Sequence, residues 1–283
     1  MLTNTAYRIH CLKKLTIGFF GGSITEGAGA SIWDETSWRA RITKHLREIY
    51  PETEINAVNA AIGGTGTDLG LYRCGKDLLS HNPNLVFIEF AVNDQNLPYE
   101  EQVKGYESCL RQILEKDPTT EIVCVFTATK STEEKILKLG HLGSRTAQTI
   151  LAYHYGLDMV DIGDHLRLAV AAAGGDWKKY TTDETHPNDD GYAIYTEVMK
   201  KALENLLSEI PDSLSVKEIP APYAKGEVLK GTVVEAKEFL DCSEGFSFVD
   251  KPFKKRFPYY VSADQVGSTM TVNFDRATTL TLV

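Results

Sequence analysis

The stretch LTIGFFGGSITEGAG, residues 15–29, decides how the rest of the chain is interpreted. It begins with an apolar run typical of a buried strand, and it breaks at Gly21 and Gly22 before reaching Ser23. A strand that ends in glycines presents the next side chain with little steric cover. In open α/β sheets, ligands bind just beyond the carboxyl ends of the strands. The pattern therefore predicts that Ser23 lies at such an edge.

Two other interpretations of this stretch stay open at this point. Glycine-rich turns between a strand and a helix can cradle phosphate groups. The run lacks the Lys-Ser/Thr pair of a P-loop, and its glycines do not fit the dinucleotide-binding spacing. A plain tight turn is the second alternative.

The composition of the 283-residue chain is ordinary for a globular protein, with 42% hydrophobic and 24% charged residues. Its formal net charge of -9 argues against nucleic acid as a partner. No apolar run approaches the roughly 20 residues that span a bilayer. Residues 1–14 lack the apolar core of a signal peptide, so we expect a cytoplasmic location.

The five cysteines are scattered and show no CxxC spacing. Free, mostly buried thiols in a reducing compartment are the simplest explanation of this pattern. The cysteines therefore predict no metal site.

Strand-like and helix-like segments alternate between residues 12 and 208. The predicted strands are Leu15–Phe20, Ile55–Asn59, Asn84–Phe90, Ile122–Phe126 and Met159–Asp161. The predicted helices cover residues 38–49, 68–79, 103–114, 145–155 and 189–207. Because the strands are apolar on both faces, we expect a parallel five-stranded sheet with helices on both sides. The fold class is α/β.

The pattern changes after residue 208, where prolines mark a connecting segment. Four β-like runs follow, at Gly231–Phe239, Phe246–Val249, Tyr259–Ser262 and Thr269–Phe274. We therefore predict a domain over 12–208 and a small β-rich appendage over 209–283. The chain stops in a strand-like pattern at 281–283, which favours a truncated appendage.

Four polar points follow predicted strands and would meet at one sheet edge. Ser23 can act as the nucleophile of acyl transfer, and His186 can act as the base that takes its proton. Asp183 can hold the imidazole tautomer. The backbone N–H groups of Ser23 and Gly64 and the amide of Asn93 can donate to an oxyanion. The four points together, in this order and each after a strand, indicate an acyl-transfer site far more specifically than any one of them alone.

Each member also has a structural explanation on its own. Asn93-Asp94 is most often a turn or a helix cap. The run DETHPNDD, residues 183–190, could cap the last helix or hold a metal, although no second cluster completes a metal site. Glu89 lies inside an apolar strand, and we interpret it as a hydrogen-bonded structural carboxylate.

The order of these motifs resembles that of the SGNH hydrolases, also called GDSL esterases or lipases. The matching blocks are GGSIT at 21–25, the glycine of NAAIGGTG, AVND at 91–94 and DETHP at 183–187. The resemblance covers 12–208 and none of the C-terminal part. Gly22 replaces the usual Asp before the serine, and Ala91 replaces the usual Gly of the third block.

The resemblance implies a flavodoxin-like three-layer sandwich and serine-dependent ester hydrolysis without a metal or other cofactor. It implies that Ser23, Gly64, Asn93 and His186 are the Ser, Gly, Asn and His residues after which the SGNH family is named. It also implies that Asp183 completes the triad. Gly63 is the competing alignment for Gly64.

For the substrate we predict a short acyl group, acetyl in particular, on a neutral small-molecule or carbohydrate alcohol. Trp33, Trp177 and Tyr180 could stack on a sugar, although core packing competes with that role. Acidic residues at 183, 184, 189 and 190 would disfavour anionic substrates.

Several alternatives to this reading stay open. An acyltransferase, a lipase or a thioesterase could share the fold. A non-catalytic carbohydrate-binding protein is the rival from another class. The sequence does not fix the oligomeric state, and a homo-oligomer is compatible with it.

Overall fold

The computed structural model describes residues 1–225, 229, 231, 234–252 and 259–272. The chain divides into two compact units, Met1–Thr232 and Val233–Val283. The predicted boundary at residue 208 does not coincide with this division, and the two predicted domains stay a prediction.

The first unit is built on a five-stranded parallel sheet in the order β2-β1-β3-β4-β5. The strands are β1 Lys14–Gly21, β2 Glu54–Asn59, β3 Leu85–Glu89, β4 Glu121–Phe126 and β5 Asp158–Asp161. This is the flavodoxin-like order, in which the chain reverses its winding direction beside β1. The predicted fold class is confirmed, and β1 borders the point where the winding reverses, which is where folds of this kind bind ligands.

Ten α-helices surround the sheet among the described residues. They are α1 Thr3–Tyr7, α2 Ser23–Glu26, α3 Trp33–Thr36, α4 Trp38–Ile49, α5 Thr67–Arg73, α6 Tyr99–Lys116, α7 Lys130–Leu139, α8 Gly143–His154, α9 Asp164–Ala172 and α10 Asp189–Leu206. Shorter π and 3₁₀ segments lie at Arg8–Leu12, Cys74–Leu78, Leu79–His81, Asn93–Asn96 and Trp177–Lys179.

Two hydrophobic clusters fill the space between the sheet and its two helical layers. One joins alternate β1 residues such as Ile17 and Phe19 to buried residues of α4, α9 and α10. The other joins Phe20 to buried residues of α5, α6 and α8. Since neighbouring residues of a strand face opposite sides, β1 contributes to both clusters and fixes the three-layer arrangement.

Four features of this unit differ from the sequence prediction: the N-terminal helical segment, helix α7, helix α9 and the form of the segment 67–81. The N-terminal segment folds into α1 and the π segment after it, and the backbone N–H groups of Asn4 and Thr5 donate to the Glu121 carboxyl at 3.1 and 2.8 Å. Helices α7 and α9 were also missed. The single helix predicted over 68–79 is instead a shorter α5 followed by π and 3₁₀ turns.

The connecting segment after α10 packs against the first unit. The N–H groups of Tyr223 and Ala224 donate to the buried Glu107 carboxyl on α6 at 2.6 and 2.7 Å. Arg111, one helical turn further along α6, donates to the carbonyl of Pro220 at 2.7 Å. The connecting segment is therefore part of the first compact unit.

The second unit contains two small antiparallel pairs among its described residues. Strand β6 Ser243–Glu244 pairs with β9 Thr269–Met270, and β7 Ser247–Val249 pairs with β8 Tyr260–Ser262. The strand predicted over 231–239 is wrong in its second half, because Ala236–Cys242 forms a 3₁₀ helix. That stretch contains good helix formers such as Lys237, Glu238 and Leu240. Residues 273–274 of the last predicted run, and the chain end at 281–283, lie outside the described residues.

Within the described part of the chain, no helix is both long and apolar enough to cross a membrane. Those same residues contain no group of three His, Cys, Asp or Glu side chains arranged to hold a metal ion.

Candidate active site

Ser23 lies just beyond the end of strand β1. Strand β1 stops at Gly21, and Ser23 is the first residue of the one-turn helix α2. The first N–H groups of a helix have no partner within it, so the N–H of Ser23 points out of the turn. Gly27 closes α2 in the left-handed region, at φ 114°, which favours glycine. The side chain of Ser23 is half-buried at the carboxyl edge of the sheet, as predicted.

Ser23, His186 and Asp183 form a continuous hydrogen-bonded chain. The distance from His186 Nε2 to Ser23 Oγ is 2.8 Å. The distance from His186 Nδ1 to Asp183 Oδ2 is 2.7 Å. The structure therefore brings together the three side chains that the sequence predicted as nucleophile, base and orienting acid.

Asp183 is oriented by backbone N–H groups of the loop that carries both it and His186. Its Oδ1 accepts the N–H groups of Thr185 and His186 at 3.1 and 2.8 Å. Desolvation opposes ionisation, but the hydrogen bonds from His186 and Thr185 outweigh it and hold the pKa of Asp183 below its ordinary value. An ionised carboxylate only accepts hydrogen bonds, so Nδ1 of His186 carries the proton and Nε2 is left to accept from Ser23.

The loop that carries His186 is anchored on both sides. Thr181 and Pro187 close it as an isolated antiparallel bridge. Glu184 at its tip has a left-handed backbone, with φ 66°. Lys130, the first residue of α7, holds Glu184 twice: its N–H donates to the Glu184 carbonyl and its Nζ to Oε1, both at 3.0 Å.

The amide of Asn93 lies against the residue before Ser23. A Cβ added at Gly22 would come within 2.0 Å of Asn93 Oδ1, so the side chain of Asn93 fills the space that a side chain at position 22 would need. In this structure Gly22, which stands where the family usually has Asp, thus leaves room for the Asn93 amide. That amide is half-buried and makes no hydrogen bond to another residue of the described 1–225 segment.

The turn Ile62–Thr65 lies next to Ser23, since a Cβ added at Gly63 would come within 3.4 Å of Ser23 Cβ. The N–H of Gly63 donates to Glu26 Oε2 at 2.7 Å, and the N–H of Thr65 donates to the carbonyl of Ile62 at 3.3 Å. Gly64 has φ 77°, and its N–H makes no hydrogen bond to any of the described residues. Of the two aligned glycines, Gly64 is therefore the one whose N–H is available to a ligand.

The buried carboxyls of Glu89 and Asp94 lie beneath the loops of the site. Burial raises the pKa of Glu89 to about 7, against hydrogen bonds from Thr25 and Thr127 that lower it. Burial likewise raises the pKa of Asp94 to about 7, against hydrogen bonds from Thr67 and Gln148. Both groups border residues of the site, and neither faces solvent.

The three aromatic residues predicted to bind substrate are buried to different degrees. Trp177 is 9% exposed and belongs to the core cluster that includes Trp38. Trp33 and Tyr180 are partly buried against the same cluster. Of the three, Trp177 therefore has the least surface for a sugar.

Three of the four acidic side chains expected at the rim have partners. Asp183 binds His186, and Glu184 binds Lys130. Asp189 accepts from the Ser31 backbone at 2.9 Å and from Thr36 Oγ1 at 2.7 Å. Of these partners only Lys130 is a cation, and the hydrogen bonds that lower the pKa of Asp183 and Asp189 keep both carboxylates ionised, so the rim stays acidic. Asp189 joins Ser31 and the end of helix α3 to the start of α10.

Sequence reasoning missed two residues that organise the site. Glu26 was given no role, although its carboxyl accepts the N–H of Gly63. Asp94 was treated as part of a turn or cap, although it binds the loop that follows Gly64 through Thr67. The only signal in the sequence is their place at the motifs, since Glu26 directly follows GGSIT and Asp94 ends AVND. Their partners are 37 and 27 residues away along the chain.

The comparisons with known proteins define the class of protein as a carboxylic ester hydrolase. The model of the GDSL-like lipase/acylhydrolase family matches residues 19–194, which is more than half of the chain, and the protein belongs to this family. The match includes Ser23, Gly64, Asn93, Asp183 and His186. No curated protein matches the chain by sequence.

Solved structures give the same fold. A two-domain esterase (CEX) active on acetylated mannans, co-crystallised with mannopentaose, is 26% identical with a TM-score of 0.73, over 92% of this chain and 68% of that one. LAE5, an α/β hydrolase from the metagenome of Lake Arreo in Spain, is 16% identical with a TM-score of 0.54, over 68% of this chain and 96% of that one. A mutant of Axe2, an acetyl-xylooligosaccharide esterase from Geobacillus, is 18% identical with a TM-score of 0.52, over 68% of this chain and 94% of that one. The last two likenesses concern the fold alone.

Proposed function

We propose that this protein is an acetylesterase that removes acetyl groups from carbohydrates through a Ser23–His186–Asp183 triad. The observation that carries the proposal is the hydrogen-bonded chain from Ser23 Oγ through His186 to Asp183, with distances of 2.8 and 2.7 Å. His186 Nε2 takes the proton of Ser23 as Oγ attacks the ester carbonyl, and it returns that proton to the leaving alcohol. The acetyl group is then bound to Ser23 Oγ as an ester. Water, deprotonated by His186, attacks this ester, and His186 returns the proton to Ser23 Oγ as acetate leaves.

The oxyanion of the tetrahedral intermediate is bound by three donors in this proposal. They are the N–H groups of Ser23 and Gly64 and the amide of Asn93. Gly64 is preferred to Gly63 because the N–H of Gly63 already donates to Glu26. Donors that are oriented before the reaction stabilise the transition state without reorganising during it.

The acetyl-carbohydrate part of the proposal has two supports. One is the likeness to an esterase active on acetylated mannans, which extends over 92% of this chain. The other is the pair of partly buried aromatic residues, Trp33 and Tyr180, which keep some exposed surface. Aromatic rings with exposed faces can stack on the apolar faces of sugar rings.

Assays of p-nitrophenyl acetate hydrolysis by Ser23→Ala and His186→Ala test the chemistry. Each variant should lose activity on the order of 10⁶-fold, and Asp183→Asn should lose less, because the orienting acid of such triads contributes less than the other two members. Full activity in a folded Ser23→Ala variant would refute the mechanism.

Acetate release from an acetylated mannooligosaccharide, compared with p-nitrophenyl octanoate, tests the substrate. We expect the acetylated sugar to have the higher kcat/KM. Trp33→Ala should lower kcat/KM for the sugar and leave that for p-nitrophenyl acetate near the wild-type value, while Trp33→Phe serves as a control that keeps an aromatic face. Preference for the octanoyl ester would refute the acetyl-carbohydrate assignment and leave the triad intact.

A further inference from the structure

We propose that Asp94 is a positioning residue that sets the spacing of the two oxyanion donors carried by different loops. Its carboxyl fastens the loop of Gly64 to the loop of Asn93. The inference rests on the proposed function, because it concerns donors assigned there. It gives a task to a buried acid that the proposed mechanism does not use.

The carboxyl of Asp94 is fully buried and accepts three hydrogen bonds. Oδ1 accepts the backbone N–H of Thr67 at 2.8 Å, and Oδ2 accepts the Thr67 hydroxyl at 3.0 Å. Oδ2 also accepts the side-chain amide of Gln148, on α8, at 3.2 Å. Two of the three donors belong to the residue that begins α5, which follows Gly64 by one short turn.

Two glycines make this contact possible. A Cβ added at Gly66 would come within 2.4 Å of Asp94 Oδ1. A Cβ added at Gly105, on α6, would come within 2.6 Å of Thr67 Oγ1. Because a side chain at either position would force the Asp94–Thr67 pair apart, the close approach depends on the residue types around it.

The backbone of Asp94 is held as firmly as its side chain. Its N–H donates to the carbonyl of Phe90 at 2.9 Å, and its carbonyl accepts from the Gln102 side chain at 3.0 Å and the Leu97 N–H at 2.9 Å. Asn93 is the preceding residue, so a displacement of Asp94 also displaces the amide of Asn93. The carboxyl thus connects the Asn93 backbone to the start of α5, and the turn of Gly64 is attached to that start.

The chemical consequence lies in the transition state. Two donors on separate loops must reach one oxygen at hydrogen-bond distance while charge develops on it. Weakening the connection lets the loops move apart, and the cost falls mainly on the charged intermediate. The loss should therefore appear in kcat, with a smaller change in KM.

A double-mutant cycle between Thr67 and Asn93 tests the inference. Thr67→Val removes the hydroxyl donor without changing the shape of the side chain, and Thr67→Ser is the matched control that keeps the hydroxyl. With p-nitrophenyl acetate we expect Thr67→Val to lower kcat about tenfold with KM changed less than threefold, because part of one donor's 10²–10³-fold contribution is lost. Thr67→Ser should recover most of the wild-type kcat.

In the Asn93→Ala background the same Thr67→Val substitution should lower kcat less than threefold, because one of the two spaced donors is already absent. Circular dichroism melting of all variants shows that the assay temperature lies below unfolding. An unchanged kcat in Thr67→Val, or equal losses in both backgrounds, would overturn the positioning role. If turnover by the wild-type protein did not depend on Ser23, the proposed function would fall and this inference with it. If Ser23-dependent turnover is intact and the two losses are equal, only the inference fails.

Discussion

Replacing Glu89 with glutamine should change how the stability of the protein depends on pH. The Glu89 side chain is 1% exposed at the end of β3. Its two oxygens accept from Thr25 Oγ1 at 3.0 Å and Thr127 Oγ1 at 3.1 Å. Burial raises the pKa of this carboxyl from 4.5 to about 7 in the folded protein, against those two hydrogen bonds. Glutamine preserves the shape and removes the ionisation.

The direction of the pH dependence follows from whether the folded or the unfolded protein keeps the proton of Glu89. Below about pH 4 the carboxyl of Glu89 is protonated in both states. Between about pH 4.5 and 7 the unfolded chain releases the proton and the folded protein keeps it, so the free energy of unfolding falls as the pH rises. At about 1.4 kcal/mol per pH unit, the pKa difference corresponds to a total loss of about 3 kcal/mol. The loss is complete above the folded-state pKa, and the Glu89→Gln variant should not show it.

Urea unfolding between pH 4.5 and 8 measures this effect. The free energy of unfolding of Glu89→Gln minus that of the wild type should rise by about 3 kcal/mol across the range. Asp94 titrates in the same window, but it is present in both proteins and cancels in the difference. Thr127→Val removes a hydrogen bond that lowers the pKa of Glu89. The free energy of unfolding of this variant should therefore keep falling to a higher pH than that of the Thr127→Ser control. A difference that stays constant from pH 4.5 to 8 would refute the reasoning.

Three further predictions concern the site and its support. Asn93→Ala should lower kcat for p-nitrophenyl acetate by about 10²–10³-fold with the fold intact, and Asn93→Asp should lower it further, because an ionised carboxylate cannot donate. A melting temperature that falls while kcat is unchanged would make Asn93 a structural residue. Gly22→Ala should mimic Asn93→Ala, since its Cβ would displace the Asn93 amide, and a wild-type kcat would contradict that geometry. A chain ending at residue 208 should be less stable to urea than one ending at 225 by at least about 2 kcal/mol, because the carboxyl of Glu107 loses two backbone donors; equal stability would show that the connecting segment contributes nothing.

Much of the first unit could be predicted because its strands are short, apolar and regularly separated by helices. The strand ends then fix which polar residues meet, so Ser23, Asn93 and His186 could be placed at one edge without knowledge of any contact. Helix α7 was missed because Thr132 is its one buried residue and Leu137 and Leu139 are exposed, so it shows no apolar stripe. Helix α9 buries little more and also exposes a leucine, Leu168.

The supporting residues of the site could not be read from the sequence. The contacts of Glu26 with Gly63 and of Asp94 with Thr67 join different loops, and no local pattern records which backbone N–H a carboxyl will meet. The choice between Gly63 and Gly64 depended on the first of these contacts. Lys130 could not have been assigned to Glu184 either, since the two are 54 residues apart.

The glycines around Ser23 also bear on how the substrate range of this protein can change by mutation. A Cβ at Gly22, Gly63 or Gly66 would come within 2.0, 2.7 or 2.4 Å of Asn93 Oδ1, Glu26 Oε2 or Asp94 Oδ1, respectively. A library that randomises these three positions should contain few clones with wild-type activity, because a new side chain must displace one of these polar groups. The segment around Trp33 and the stretch around Tyr180 lie outside these three glycine contacts. Directed evolution toward new esters should accumulate its substitutions in those two segments.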